Sequence, residues 1–191
     1  MRRSLLLVLG LALATPAFAA DTYDIDDSHT SVLFSVQHFN AGWVYGRFNE
    51  ISGSFTWDAA KPADITFDVT IPTTSVDTDN AKRDDHLRSP DFFSSKEFAN
   101  LTFKSKSVTK KGPTTYSVTG DLTLHGVTKP ITVDFEYTGE GDDPWGGHRM
   151  GLLGSFSIKR SDYGITTMPD GLSDEVRITV SLEGTKKRIG K

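Results

Sequence analysis

Apolar and polar side chains alternate along the chain with a period of two residues. Between residues 65 and 69, for example, Ile65, Phe67 and Val69 alternate with Thr66 and Asp68. The same alternation recurs at residues 32–36, 53–57, 101–103, 116–124, 131–137, 150–158 and 176–182. This period is typical of strands with one buried face and one wet face. The pattern therefore predicts an all-β protein of about eight antiparallel strands.

The segments between these strands contain the residues that turns require. Gly, Pro and Asp cluster at residues 111–113, 125–126 and 139–147, which predicts tight connections there. Residues 75–98 interrupt the alternation for longer. Within them Asp79, Asp84 and Ser89 could cap short helical turns before Pro90 ends them, so we expect a short helical insertion.

Two architectures bury the single apolar face of such strands. One is a sandwich of two sheets, and the other is a closed barrel. The alternation alone does not separate them, because both bury the same face. In either case the chain reads as one domain without a long internal repeat.

The first residues add a targeting signal to this picture. Arg2 and Arg3 precede an apolar run, and Ala17-Phe18-Ala19 has the small-x-small pattern of a signal peptidase site. The apolar run is about half the ~20 residues that a membrane crossing needs. We therefore expect residues 1–19 to be a signal peptide cleaved after Ala19, and residues 20–191 to form a single exported domain with no stable membrane insertion.

The charge of the chain argues against a nucleic-acid partner. Without Arg2 and Arg3, 19 of the 21 basic residues remain against 25 acidic residues, which gives a net charge of −6. A phosphate backbone needs a basic surface, which this composition does not favour. The chain also has no cysteine, so its stability must come from packing and hydrogen bonds.

The sequence carries no recognisable catalytic, metal or cofactor motif. The five histidines are scattered without the spacing of a zinc site, and no hydrolase elbow, phosphate-binding loop or dinucleotide fingerprint occurs. An enzyme would have to draw its general acid or base from His38, His86 or Asp162. We therefore expect a protein that is not an enzyme and that holds neither metal nor cofactor.

Glycines occupy three positions on the apolar strand faces: Gly53, Gly120 and Gly154. A glycine inside a strand costs stability, so its place needs a reason. Either the strand bends or bulges there, or a ligand lies against the backbone.

Five segments of the chain are distinctive: TSVDT at residues 74–78, RDDHLRSPDF at 83–92, GDLTLHGVTKP at 120–130, GDDPWGG at 141–147 and RSDYG at 160–164. Together they resemble the YceI-like family of periplasmic polyisoprenoid-binding proteins. Their shared order covers essentially the whole chain after the signal peptide. The chain departs from the family at residues 39–43, FNAGW, where relatives tend to have a shorter Leu-Gly element.

The resemblance implies an eight-stranded antiparallel barrel of lipocalin-like shape, with a long isoprenoid chain in its apolar bore. It does not decide whether the ligand is a polyprenyl phosphate or a prenylated quinone. It also does not decide whether the protein forms a homodimer. We expect the bore to be lined by Phe34, Val36, Phe55, Phe67, Phe103, Leu122, Phe135, Gly154 and Phe156. The polar end of the ligand is expected near His38, His86, Arg88 and Arg160. An enzyme acting on a prenyl lipid, or a packed barrel that binds a protein partner, remains an alternative.

Overall fold

The computed structural model describes residues 20–187, so the predicted signal peptide lies outside the described residues. It contains eleven β-strands and one α-helix, with single 3-10 turns at Pro62–Asp64, Thr73–Ser75 and Arg160–Tyr163. The strands are β1 (Asp21–Ile25), β2 (Ser31–His38), β3 (Gly42–Phe48), β4 (Ser52–Trp57), β5 (Thr66–Pro72), β6 (Val76–Asp77), β7 (Asn100–Lys110), β8 (Thr115–Leu124), β9 (Val127–Asp142), β10 (Gly147–Lys159) and β11 (Leu172–Lys187). Helix α1 spans Ala81–Arg88.

The strands form one antiparallel sheet that closes on itself. β11 pairs with β10 along one edge, and along the other edge its two halves pair with β2 and β1. On their other edges, β2 pairs with β3 and β1 pairs with β4. β3 then pairs with β6, and β4 pairs with β5. β1 and β2, β3 and β4, and β5 and β6 therefore each act as one interrupted long strand. With β7 to β10 between β5 and β11, the result is an eight-stranded closed barrel, which confirms the predicted fold.

The barrel has two distinct ends. The end with the loop at residues 39–41, the insertion at residues 78–99 and the loop at residues 164–171 is called the mouth end. The opposite end, where β1 begins and β11 finishes, is called the base end. The predicted helical insertion is present, but Asn80 caps α1 by accepting a 3.0 Å hydrogen bond from the Arg83 backbone. Asp84 is instead buried within the helix, where it accepts bonds from Thr78.

The three interruptions lie at one level of the barrel wall and are joined by hydrogen bonds. The Ile51 backbone donates to Asp27 at 2.8 Å, and the Asn49 backbone donates to the Ser75 carbonyl at 2.9 Å. Backbone N–H and C=O groups that lose their strand partners at such a break need other hydrogen-bond partners when they are buried. The interruptions are therefore held by specific contacts and do not open the wall.

Arg149 joins one of these interruptions to two neighbouring segments. Its Nη1 donates to Asp26 at 2.7 Å and to Glu183 at 2.5 Å, and its Nε donates to Asp143 at 3.1 Å. Burial alone would raise the pKa of Asp26, but hydrogen bonds from Ser28, Arg149 and His29 outweigh it and lower that pKa well below 3.8. The same contacts raise the pKa of Arg149. The charges hold each other in the ionised state.

The inward-facing glycines make room for phenylalanine rings. A Cβ on Gly154 would lie 2.7 Å from the Phe135 ring, and one on Gly120 would lie 2.6 Å from the Phe103 ring. Gly53 differs, because its φ of +132° favours glycine and a Cβ would meet the Asp68 backbone. The sequence had suggested a bend or a ligand at these positions. At Gly154 the space is taken by the Phe135 side chain. At Gly120 the expected irregularity is present, because β7 changes register between Ser105 and Ser107 opposite this glycine, and a Cβ there would also meet the Lys104 carbonyl oxygen at 2.5 Å.

We predict that Gly154→Leu is destabilising by about 1–3 kcal/mol, because it would overpack a site that the Phe135 ring already fills. The free energy of unfolding from chemical denaturation measures this effect. Gly141→Ala on β9 is the matched control, since a Cβ there meets nothing within 4 Å. A Gly154→Leu protein as stable as the wild type would show that the interior near Phe135 is looser than described.

The lowered pKa of Asp26 makes stability depend on pH in a defined direction. Its contribution is complete above the unfolded-state pKa of about 3.8 and is lost as the pH falls through that value toward the lower folded-state pKa. We expect Asp26→Asn to cost about 2 kcal/mol at pH 7 and less at pH 3. Thermal unfolding across this pH range checks the prediction. Asp134→Asn, at an exposed carboxylate on β9, should leave the pH profile unchanged.

Candidate functional site

The mouth half of the barrel contains an apolar cavity of about 190 Å³. Each wall contributes consecutive inward-facing residues, such as Val32, Phe34 and Val36 on β2 and Val176, Ile178 and Val180 on β11. Among the cavity-lining residues of the described chain, every side chain except that of Arg160 is apolar. Such a wall favours an apolar ligand and offers little to a polar one.

The interior is hollow toward the mouth and packed toward the base. Phe34, Val36, Phe156 and Ile178 face inward yet remain partly exposed, which means that open space adjoins them. Toward the base, Val118, Met150 and Leu152 are at most 1% exposed. The boundary is formed by four stacked aromatic rings. Tyr23, Phe55 and Phe67 stack along the neighbouring strands β1, β4 and β5, and Phe135 of β9 stacks on Phe67.

The helical insertion and the loop after β10 cover the mouth end. Leu87 of α1 and the following Phe92 and Phe93 line the cavity from the insertion. Ile165 lines it from the loop, and Leu172 lines it from the first position of β11. The cavity therefore has an apolar cover as well as an apolar wall.

Arg160 fixes the loop that forms this cover. It is only 7% exposed, and its guanidinium donates to the carbonyl oxygens of Ser173, Ile165, Thr167, Met168 and Leu172 at 2.6–3.4 Å. A guanidinium has five N–H groups, so these contacts use its full capacity. Burial lowers the pKa of Arg160, and the Asp174 carboxylate partly counters the shift. The side chain is a structural anchor with no donor left for a ligand.

Most of the residues predicted to line the bore do line the cavity. Those in its wall are Phe34, Val36, Phe67, Phe103, Leu122, Phe135 and Phe156; Arg160, which was expected near the polar end of the ligand, also lines it. Phe55 lies outside, because it is stacked between Tyr23 and Phe67 beneath the cavity. Gly154 also lies outside, since the Phe135 ring covers it.

The other residues expected near a polar head group do not line the cavity. His38 is exposed and packs edge-on against Phe39 at the end of β2. His86 is exposed and lies 2.9 Å from Asp91. Arg88 donates to the carbonyl oxygens of Thr74 and Val76, both at 2.9 Å, and so ties α1 to the barrel wall.

The sequence reasoning missed the apolar residues that come from outside the strands. Leu87, Phe92, Phe93 and Ile165 line the cavity, but they lie in segments without regular alternation. Their signal was present, because large apolar side chains in a polar insertion need a surface to pack against. The period-two pattern could not reveal which surface that is.

A carboxylate and histidine cluster on the outer wall has the spacing of a metal site. Ligand atoms of Asp26, His29 and Glu183 lie within 4.8 Å of one another. Arg149 already donates to both carboxylates and neutralises part of their charge. The geometry is that of an ion-pair network, which does not require a metal.

A polar depression lies at the base end, on the other side of the packed aromatic rings. Trp57, Tyr116, Tyr137, His148 and Lys186 are among the residues around it. Trp57 and Tyr116 pack against each other with ring centroids 4.6 Å apart. Burial is the main cause of the raised pKa of Tyr137. The two spaces share no lining residue, so the depression is separate from the apolar cavity.

Comparison with known proteins places this barrel in a family. A model of the YceI-like domain matches residues 23–184. The chain belongs to the YceI-like family. Protein YceI of Escherichia coli is 44% identical over 195 residues, an alignment that covers 98% of this chain and all of that protein.

Solved structures of other proteins share the fold. BcnA of Burkholderia cenocepacia has a TM-score of 0.76 at 26% identity, covering 84% of this chain and 99% of that one. A polyisoprenoid binding domain from Saccharophagus degradans has a TM-score of 0.66 at 17% identity, covering 86% and 98%. The YceI-like barrel is therefore retained at low sequence identity.

We predict that Arg160→Gln lowers stability by at least about 2 kcal/mol, because it leaves several carbonyl oxygens of the mouth loop without donors. Backbone amides of residues 165–172 should lose protection in hydrogen exchange more than those of β9. Lys159→Gln, at the exposed neighbouring position, is the control. Unchanged exchange in the loop of the Arg160 variant would contradict the anchoring role.

Proposed function

We propose that this protein binds the apolar tail of a long-chain isoprenoid lipid in the cavity of its barrel, as a periplasmic binding or carrier protein. The observation that carries the proposal is the set of inward-facing apolar side chains that remain partly exposed at the mouth end. A barrel whose only task was to be stable would fill that space with side chains. The polyisoprenoid binding described for the Saccharophagus degradans domain supports the same ligand class.

The hydrophobic effect is sufficient to hold such a tail. Burial of apolar surface contributes roughly 25 cal/mol per Å², so a few hundred Å² of prenyl chain offsets a large part of the association entropy. Because the cavity exists before binding, the protein does not have to open its core to admit the tail. Binding then needs no covalent chemistry.

The cavity selects the tail more strongly than the head group. Among the described residues that line it, Arg160 alone carries polar side-chain atoms, and its donors are all engaged. A phosphate or quinone head group would lose its hydration inside without gaining partners. We therefore expect the head group to lie outside the cavity. Polyprenyl phosphates and prenylated quinones are then alternative ligands, because the same cavity would bind the tail of either.

The residues considered for catalysis do not favour an enzyme. His38 and His86 are exposed and outside the cavity, and Asp162 pairs with Lys129 at 3.1 Å on the surface. A general acid or base must reach the reacting atoms of its substrate. Binding without chemistry is the activity that this arrangement supports.

The proposed periplasmic location rests on the N-terminal sequence. Arg2, Arg3, the apolar run and the Ala17-Phe18-Ala19 pattern support export. No helix within residues 20–187 combines the length and apolar character of a membrane-crossing segment. Mass spectrometry of the mature protein from a periplasmic extract, with an N-terminus at Ala20, would test both export and cleavage.

Lipid binding can be tested by filling the cavity from one strand. We expect Ile178→Trp to reduce copurified or added isoprenoid lipid at least tenfold in native mass spectrometry, because the indole would occupy the tail's space. Leu153→Trp is the matched control, since Leu153 is 41% exposed on the outside of the neighbouring strand β10. Wild-type protein that retains no isoprenoid lipid, even when lipid is added, would refute the proposed function.

A further inference from the structure

The aromatic rings beneath the cavity limit how much of a tail can enter. We propose that Phe67 and Phe135 form the floor of the cavity and set the number of isoprene units that the protein buries. This inference rests on the proposed function and adds to it a rule of chain length. The two residues would then determine specificity by position, without contacting the head group.

The floor is formed by rings that reach across the barrel. Phe67 on β5 and Phe135 on β9 belong to strands that are separated by β7 and β8, yet their ring centroids are 6.0 Å apart and the rings are 14° from parallel. Phe55 stacks on the other side of Phe67 at 5.6 Å, and Tyr23 stacks on Phe55 at 5.1 Å. Phe67 and Phe135 line the cavity, whereas Phe55 and Tyr23 do not. The Phe67 and Phe135 rings therefore meet across the bore at the lower end of the cavity, and Phe55 and Tyr23 support Phe67 from the neighbouring strands.

Close packing holds these rings in place. Gly154 lies beside Phe135, where a Cβ would come within 2.7 Å of the ring, and Leu152 and Val118 are fully buried in the core below. Stacked aromatic rings in a dense core have few other positions. A prenyl tail cannot displace this floor without breaking the packing beneath it.

The depth above the floor corresponds to a short stretch of tail. Below the cover, to which Leu172 at the start of β11 belongs, the regular wall of the cavity on β11 extends from Val176 to Leu182 at the floor. At ~3.3 Å per residue and a strand tilt of roughly 40°, this distance is about 15 Å along the barrel axis. An isoprene unit advances by roughly 5 Å when extended, so about three units fit. The remaining isoprene units of a longer tail must stay outside the cavity.

The test measures binding of prenyl alcohols with two to six isoprene units, delivered from cyclodextrin. For the wild type, each added unit should raise the affinity by roughly tenfold or more until about three units are buried, after which the affinity should level off. The levelling point is the number of isoprene units at which the affinity stops rising. Phe135→Ala removes part of the floor, so its levelling point should move to an alcohol that is longer by about one unit. Val180→Phe adds a ring above the floor, and the levelling point should move to a shorter alcohol by about one unit.

The controls separate this inference from the proposed function. Leu152→Ala removes a similar buried side chain below the floor and outside the cavity, so its levelling point should match that of the wild type. If Phe135→Ala does not fold, Val180→Phe still decides the question. Equal levelling points in the wild type and the folded floor variants would overturn the floor while leaving lipid binding intact. No binding of any prenyl alcohol by the wild type would instead overturn the proposed function.

Discussion

Closure of the sheet by β11 is the constraint on which the rest of the molecule depends. This strand pairs with β10 on one side and with both β1 and β2 on the other, so the first and last strands of the barrel meet. A closed sheet has no free edge and gives every strand one fixed inner face. The alternation of apolar and polar residues then determines the character of the interior. The interior of an eight-stranded barrel is just wide enough for side chains to fill it or for one small ligand. The base of this barrel is filled by side chains, whereas the mouth keeps a cavity.

Aromatic packing at the base supplies stability, while the mouth keeps its space open. The buried rings and aliphatic side chains of the base form the largest core cluster. The mouth is held by hydrogen bonds. Arg160 donates to backbone carbonyl oxygens of the mouth loop and β11, and Arg88 joins α1 to the barrel wall. Both arginines donate to backbone oxygens and so order irregular segments; Arg160, which lines the cavity, has its donors engaged by these carbonyl groups. Charged groups outside the barrel, centred on Arg149, join the interrupted strands. Apolar packing thus stabilises the base, whereas hydrogen bonds and ion pairs stabilise the mouth and the outer wall.

The sequence predicted the strands better than it predicted the ends of the barrel. Period-two patterns such as Ile131 to Tyr137 identify their strands because the inner and outer faces differ clearly. β3 was missed because it reverses the usual pattern: Tyr45 points outward at 68% exposure and Gly46 faces the interior. Parity along the strands also identified Phe34 and Phe156 as parts of the cavity wall. The positions of His38 and His86 could not be obtained in this way, because they depend on the geometry of loops. Phe55 needed the three-dimensional stack, which no pattern within one strand contains.

The glycine and phenylalanine neighbours also restrict how this barrel can change during evolution. Phe34 lies directly opposite Gly46, and Phe135 lies directly opposite Gly154. In each case the volume of one residue is possible because the other has no side chain. A substitution that enlarges the glycine meets an aromatic ring, and one that shrinks the phenylalanine leaves a cavity, so either change alone is destabilising. The two positions of each pair are therefore coupled: a change at one is tolerated best when the other changes in the opposite sense.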